Sequence, residues 1–288
     1  MSQDTARAWA WMIDAGWTAA ENAMIPAISP GFLYGESLFE SVRAHKGIWL
    51  ALREHYQRLV AAQHAWGWHD KLPNFDDLKD VLAVGLERLG SEEAYGRITV
   101  WPPSGGGPGL LPTTTGGCII LVSRINGPSE MTLPAANIGI ARDIGRDYRA
   151  LPYDLKHGNY LPSLWGAREA KSRGLDDVIL CRQDGSPVEA STSNLVLFSS
   201  DRWVTPILGR DGLDGIGRTG LIKHGVVEEA PVDRTDLEDA TALALVNSVR
   251  GLRLVSTFEG ARRCLEGVTV EKLRRGWCDV VENWLKKP

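Results

Sequence analysis

The chain of 288 residues is 43% hydrophobic and 24% charged, which suits one large or two ordinary domains with a sizeable core. Its formal net charge of -4 spreads both signs along the whole length, which argues against nucleic-acid and membrane surfaces and favours small-molecule partners. The 4 cysteines are widely spaced without a CxxC pair, so neither a metal site nor a disulfide framework is expected. No stretch resembles a secretory leader or a membrane span, so a cytoplasmic location is expected.

The first half of the chain predicts a small domain of strands and helices. Four runs mix apolar and polar residues as half-buried strands do: residues 8–13, 31–45, 97–101 and 118–122. Helical spacing over residues 52–66 places Leu52, Tyr56, Leu59 and Val60 on the inner face. A second amphipathic helix follows and carries apolar residues at 78–89.

Turn-forming residues cluster at 128–134, between two strand-like runs, and indicate a domain boundary. We therefore expect a small α+β domain at 1–127 and a larger mixed α/β domain at 135–288. The glycine-rich stretch 102–109 fits a mobile cover over a site and a plain connection equally well.

The larger domain is predicted to mix strands and helices throughout. Its elements are expected in this order: a strand at 138–141, a helix at 161–173, strands at 178–181, 187–189, 195–198 and 203–205, a helix opening at 215–220, a strand at 243–246 and a terminal helix at 270–284. In the first of these helices, Leu164 and Trp165 are expected to face inward.

The strongest candidate for chemistry lies at residues 154–162. Lys156 stands in a short linker before a predicted helix, and Tyr160 follows four residues later. A lysine whose pKa is lowered by partial burial can attack a carbonyl cofactor as an amine nucleophile. Most lysines are solvated surface charges, so this candidate depends on the residues that accompany it.

One of those companions is a phosphate-binding pattern. Residues 215–220 spell GxGxxG, but a dinucleotide fingerprint needs a strand directly before the first glycine, and residues 206–214 intervene as a loop. Backbone amides of Ile216 and Gly217 at a helix start can instead point at a phosphate dianion.

Several blocks together resemble the class IV pyridoxal-phosphate aminotransferase family, which holds branched-chain aminotransferases, D-amino-acid transaminases and 4-amino-4-deoxychorismate lyases. The blocks keep the family's order and spacing over residues 31–255: GESLFE at 35–40, REHYQRL at 53–59, KHGNY at 156–160, VEASTSNL at 188–195, TP at 205–206 and GIGR at 215–218. The resemblance implies the fold of the fold type IV pyridoxal-phosphate enzymes, like that of D-amino-acid aminotransferase. It also implies a homodimer with the site between the two domains and near the partner chain.

The resemblance assigns roles around pyridoxal 5'-phosphate. Lys156 would bind the cofactor's aldehyde as a Schiff base and then move the proton at the reacting carbon. Glu189 would pair with the protonated pyridine nitrogen. Tyr160 would donate toward the phenolic oxygen, and its alternative is a hydroxyl-capped core aromatic.

Phosphate and substrate contacts are implied in the same way. Arg58 would supply a guanidinium and Ser248 a hydroxyl to the phosphate, although a solvated helix face also accounts for Arg58. The implied substrate residues are Tyr34, Phe39, Arg97, Trp101 and Arg250. A receptor for the substrate's carboxylate needs a cation or amides, and Arg43, Arg97 and Arg250 all remain open for this role.

The type of reaction is indicated by finer features. The stretches 247–252, 155–157 and 104–109 look more like the lyases, so the first expectation is 4-amino-4-deoxychorismate lyase, which eliminates pyruvate to leave 4-aminobenzoate for folate. Tyr160 stands where branched-chain aminotransferases carry tyrosine, so an aminotransferase for branched-chain or other amino acids is the alternative. A non-catalytic relative that binds the cofactor is a remote third hypothesis.

Overall fold

The computed structural model describes residues 8–68, 71–103, 115–125 and 133–287. They form two compact units: the first holds the described residues up to 125 together with Lys156–Asn159, and the second holds residues 133–155 and Tyr160–Lys287. Residues 104–109 of the glycine-rich stretch and residues 128–132 of the expected boundary lie outside the described residues. Residues 156–159, which the sequence places in the 135–288 domain, belong to the first unit instead.

The first unit is built on a six-stranded antiparallel sheet in the order β2-β1-β6-β5-β3-β4. Its strands are β1 Ala8–Met12, β2 Gly16–Ala19, β3 Leu38–His45, β4 Ile48–Trp49, β5 Ala94–Trp101 and β6 Gly117–Arg124. Its helices are α1 Pro30–Leu33, α2 Leu52–Ala65 and α3 Phe75–Leu89. Helix α2 packs against β3 and α3 packs against β6, so one face of the sheet carries both long helices.

Both long helices form where periodicity predicted them. The side chain of Asn74 caps α3 by accepting from the Asp77 amide, and Gly90 ends the helix at a φ of 55°. In α2, Leu52 and Leu59 are buried, whereas Tyr56 and Val60 on the same side are half-buried. His55 takes a place in the core instead, because it has an acidic partner on the sheet beneath.

The second unit is a nine-stranded mixed sheet in the order β12-β11-β10-β13-β14-β7-β8-β9, with β15 paired to β14. A further pairing of β9 with β10 closes the strands from β10 to β9 into a ring. The strands are β7 Ala136–Ile140, β8 Asp177–Cys181, β9 Pro187–Ala190, β10 Asn194–Ser199, β11 Arg202–Pro206, β12 Glu228–Ala230, β13 Ala242–Asn247, β14 Gly251–Phe258 and β15 Ala261–Arg262. The helices are α4 Leu161–Ser172, α5 Ile216–Lys223, α6 Arg234–Asp239 and α7 Val268–Leu285.

Strand β13 is buried from Ala242 to Val246, which explains its continuous apolar run. Helix α4 departs from expectation, because Leu164 and Trp165 are 47% and 50% exposed. The helix turns small residues toward β8: a Cβ added at Gly166 would lie 3.2 Å from Leu180. Close approach of the backbone therefore selects glycine on the inner face and leaves the large apolar side chains outside.

The described residues bear on the expectations for membrane spans and metal sites. In that part of the chain, no helix is long and apolar enough to cross a bilayer. The same residues contain no group of three or more His, Cys, Asp or Glu that could hold a metal ion.

Candidate active site

The segment that carries Lys156 pairs with the entrance of β3. The Phe39 amide donates to the Lys156 carbonyl at 2.9 Å, and the Gly158 amide donates to the Ser37 carbonyl at 2.7 Å. A Cβ added at Gly158 would lie 2.2 Å from Ser37 Oγ and 2.9 Å from the Gly35 carbonyl. Only glycine permits this approach, so residue 158 is constrained by the pairing itself.

Strand alternation places two cations beside one aromatic ring. Phe39 lies opposite Thr99 and Ser41 lies opposite Arg97 across β3 and β5, so Phe39 and Arg97 share the sheet face that α2 and α3 do not cover. Lys156 Nζ lies 4.5 Å from the centroid of the Phe39 ring. The guanidinium carbon of Arg97 lies 3.6 Å from the same centroid. An amine and a guanidinium thus contact one ring.

The helix-covered face of β3 carries a buried carboxylate. Glu40 Oε1 and Oε2 accept from Arg58 Nε at 2.7 Å and Nη2 at 2.8 Å. His55 Nδ1 lies 2.7 Å from Glu40 Oε2. Burial tends to raise the pKa of the Glu40 carboxyl, but the charges and hydrogen bonds of Arg58 and His55 outweigh it and hold the pKa far below its usual value.

His55 completes this cluster as a neutral donor. Burial lowers the pKa of His55, although the Glu40 carboxylate opposes the shift. An uncharged imidazole with its proton on Nδ1 donates to Glu40 and keeps the net charge of the Glu40–His55–Arg58 cluster at zero.

The remaining first-unit residues expected at the substrate have different surroundings. Tyr34 ends α1 and is 43% exposed. Trp101 is buried in an apolar cluster with Ala10 and Ile119, and a Cβ added at Gly117 would lie 2.2 Å from its indole. Packing therefore accounts for Trp101.

In the second unit, Glu189 is buried on β9 among hydrogen-bond donors. Its Oε1 lies 3.0 Å from Arg146 Nη2, and its Oε2 accepts from the Leu213 amide at 3.2 Å and from Asn194 Nδ2 at 3.3 Å. Arg146 is itself held by Ser163 Oγ at 3.1 Å. The carboxylate is fixed in direction, as a partner for a protonated ring nitrogen has to be.

The amides of Ile216 and Gly217 open α5. Gly215 is its N-cap residue and gives no side-chain cap, so the first amides of the helix suit an anion. A Cβ added at Gly217 would lie 3.1 Å from Val246, which accounts for glycine at this position.

Arg218 anchors the same turn from inside. It is 3% exposed and forms ion pairs with Asp214, at 2.8 Å, and with Glu229. Its Nε and Nη2 donate to Thr205 Oγ1 at 3.2 Å and to the Pro206 carbonyl at 3.1 Å. The start of α5 is thereby tied to β11.

Ser248 and Arg250 occupy the turn between β13 and β14, and Asn247 builds that turn. Asn247 Oδ1 accepts from the amides of Val249 at 3.0 Å and Arg250 at 2.6 Å. Its Nδ2 donates to Ser193 Oγ at 2.9 Å, which joins the turn to the loop after β9.

Tyr160 is the N-cap residue of α4 and is half-buried.

The residues present fit pyridoxal 5'-phosphate. The first unit offers an amine beside an aromatic ring and a guanidinium held by a carboxylate, and the second offers a buried carboxylate and uncapped helix amides. Sequence reasoning gave no role to Glu40, His55, Arg146, Asn194 or Arg218. For Glu40 a clue existed, because a charged residue alternates there with Leu38 and Val42 on a buried strand face.

Residues 37–258 match the family model of the amino-transferases of class IV, so the chain belongs to the class IV aminotransferase family. A putative branched-chain-amino-acid aminotransferase of Methanocaldococcus jannaschii is 27% identical over 92% of this chain and 93% of its own length. The aminodeoxychorismate lyase of Bacillus subtilis is 24% identical over 74% of this chain and 72% of its own length. An aminotransferase from Brucella abortus, solved with bound pyridoxal phosphate, superposes with a TM-score of 0.83 at 19% identity, covering 96% of this chain and 99% of that one.

The family membership and the fold type IV architecture predicted from the sequence are confirmed, since solved branched-chain aminotransferases share this fold. The protein is an enzyme that depends on pyridoxal 5'-phosphate.

Replacing Arg218 should destabilise the protein, because Arg218 holds the start of α5 to β11. We expect Arg218→Met to lower the free energy of unfolding by about 2–3 kcal/mol, because the buried acceptors of Thr205 and Pro206 lose their donor. Urea unfolding followed by tryptophan fluorescence measures the loss. Arg202→Ala is the control, since its pair with Glu228 is exposed and should contribute less than about 1 kcal/mol. Equal losses in the two variants would contradict the anchoring role.

Proposed function

We propose that this class IV enzyme is an aminotransferase that acts on an amino acid through Lys156. The observation that carries the proposal is the placement of Lys156 Nζ and the Arg97 guanidinium on one Phe39 ring. A catalytic amine and a receptor for a substrate carboxylate need to be neighbours, because the reacting carbon of an amino acid bears both groups. The relatives named as branched-chain aminotransferases support amino-group transfer.

Bound pyridoxal phosphate supplies an electron sink for the carbanion that forms when the substrate loses a proton. Lys156 Nζ would hold the aldehyde end of the cofactor, and once the substrate amine had taken its place it would accept and return the proton of the substrate α-carbon. The Phe39 ring beneath Nζ limits the directions that the amine can take.

Arg97 is the proposed receptor for the substrate carboxylate. Of the three arginines considered, Arg43 is buried and bound to Glu93 at 2.8 Å. Arg250 belongs to the turn that Asn247 builds. Arg97 donates through Nε to Thr99 Oγ1 at 3.2 Å, which orients the half-buried guanidinium on the sheet face opposite α2 and α3. A charge-assisted pair with a carboxylate would use this orientation.

The other assignments remain proposals of the same kind. Glu189 would pair with the pyridine nitrogen, and Tyr160 would donate to the phenolic oxygen. Arg58, Ser248 and the amides of Ile216 and Gly217 would hold the phosphate: these are a cation, a hydroxyl and a helix N-terminus, which are the groups that bind dianions.

The lyase reaction that the sequence favours is the second candidate. It is supported by the stretch 247–252 and by the aminodeoxychorismate lyase among the relatives. Two hydrogen bonds from backbone amides to Asn247 Oδ1 explain the asparagine by turn geometry alone, so that part of the stretch does not discriminate between the reactions.

A homodimer and a cytoplasmic location also remain predictions. Large apolar side chains are exposed on both units and supply surface that a second copy could cover: Met24, Phe32, Leu161, Leu164 and Trp165.

Removing the amine at residue 156 should abolish cofactor attachment. We expect purified Lys156→Ala to lack the visible absorbance band that the wild-type protein gains with pyridoxal phosphate, because no other group is assigned to the aldehyde. Lys79→Ala, an exposed lysine on α3, should keep the band. A wild-type-like spectrum from Lys156→Ala would refute the assignment.

A screen of amino donors separates the reactions. Amino acids that convert the visible band to the pyridoxamine form identify an aminotransferase, and the enantiomer that reacts defines the stereochemistry. Turnover of aminodeoxychorismate alone, with release of pyruvate, identifies the lyase instead. A protein that binds the cofactor and turns over neither class would be the non-catalytic relative.

Loss of the Arg97 charge should weaken substrate binding. We expect Arg97→Gln to lower kcat/KM for the amino acid by about 10- to 100-fold, as for a lost hydrogen bond to a charged group. Steady-state kinetics with saturating cofactor measures the change. Tyr95→Phe on the same strand face removes only a hydroxyl contact with Ser41 at 3.2 Å and should leave kcat/KM near wild type. An unchanged value for Arg97→Gln would exclude Arg97 as the receptor.

A further inference from the structure

The Glu40–His55–Arg58 cluster fixes a guanidinium in one orientation. Two parallel N–H···O bonds, from Nε and Nη2, use one edge of the Arg58 side chain. A planar guanidinium bound at two points cannot rotate about its own axis. The plane of Arg58 and the direction of its remaining nitrogen, Nη1, are thus set by the carboxylate of Glu40.

His55 in turn restrains the carboxylate. Its Nδ1 lies 2.7 Å from Glu40 Oε2, the oxygen that also accepts from Arg58 Nη2. Because Glu40 is held on the strand side by its backbone and at its head by two partners, it cannot turn away from Arg58. His55 thus restrains the Glu40 carboxylate, and the Glu40 carboxylate restrains the Arg58 guanidinium.

The burial of the two partners shows which one faces outward. The Glu40 side chain is 1% exposed, and that of Arg58 is 19% exposed. A second Arg–Glu–His cluster at the other end of β3 has the reverse arrangement: Arg43 is 4% exposed and its partner Glu93 is 29% exposed. In the Glu40 cluster the cation is therefore the more exposed partner, and in the Glu93 cluster the carboxylate is the more exposed partner.

We propose that Glu40 and His55 are positioning residues that preorganise Arg58 for the phosphate of the cofactor. The proposal rests on the assignment of Arg58 to the phosphate in the proposed function. A buried anion beside a phosphate ligand weakens the attraction of the dianion, so Glu40 favours phosphate binding only if fixing the cation gains more than the added charge costs. Neither residue touches the cofactor in this scheme; both act through Arg58.

The test compares two ligands that differ only in the phosphate. Dissociation constants of pyridoxal 5'-phosphate and of pyridoxal are measured on the apoenzyme by tryptophan fluorescence and by the visible band. Glu40→Gln should raise the constant for pyridoxal phosphate by about 10- to 100-fold, because Arg58 loses its charged partner. The constant for pyridoxal, which lacks the phosphate, should stay near wild type.

Control variants make each outcome decisive. Glu93→Gln alters the matched cluster and should leave both constants unchanged. If Glu40→Gln does not fold, Glu40→Asp keeps the charge but withdraws it by one carbon, and it should weaken pyridoxal phosphate selectively. In an Arg58→Lys background, Glu40→Gln should have little further effect, because the two residues act as one unit.

Two results distinguish failure of this inference from failure of the phosphate assignment. Equal weakening of pyridoxal phosphate and pyridoxal by Glu40→Gln would show a structural role only, and the phosphate assignment of Arg58 would stand. If Arg58→Gln, which removes the charge, does not weaken pyridoxal phosphate selectively, Arg58 does not bind the phosphate, and the inference fails together with that part of the proposed function.

Discussion

Backbone hydrogen bonds between residues 156–159 and the start of β3 hold the candidate catalytic amine in place. The pairing is made by the Lys156 carbonyl and the Gly158 amide, so it does not depend on the side chains themselves. It tolerates no Cβ at Gly158, where Ser37 and Gly35 approach closely. Since β3 is paired with β5 over its whole described register, from Leu38 to Ala44, the lysine is attached to a strand of the sheet and not to a loose loop.

Neighbouring residues of β3 serve the two faces of that sheet. Phe39 contacts Lys156 and Arg97 on the face opposite α2 and α3, and Glu40 binds Arg58 on the face that these helices cover. Successive side chains of a strand point to opposite sides, so a register shift of one residue would exchange them. Two consecutive residues of one strand thus contact both cations that are proposed to hold the cofactor, Lys156 through Phe39 and Arg58 through Glu40.

In the second unit, the buried charged side chains Glu189 and Arg218 are also paired with groups of opposite charge or with hydrogen-bond partners. Glu189 is surrounded by donors from Arg146, Asn194 and the Leu213 amide, and Arg218 ties α5 to β11. Each charge is bound by groups from other elements of the sheet or its loops. Burial without such partners would cost several kcal/mol, so the fold and the chemistry of the site constrain each other.

The amino-acid sequence by itself determined the family and most strands and helices, because local periodicity and short motifs report burial and backbone type directly. It also singled out Lys156 as the candidate catalytic amine. Only the tertiary structure decided that residues 156–159 join the first unit, that Glu40 binds Arg58, and that Arg97 contacts the same Phe39 ring as Lys156 while Arg43 is enclosed. These facts depend on strand register and on which side chain meets which across long stretches of chain. Periodicity shows that a residue is buried, but pairing is set by the partner that the fold brings to it.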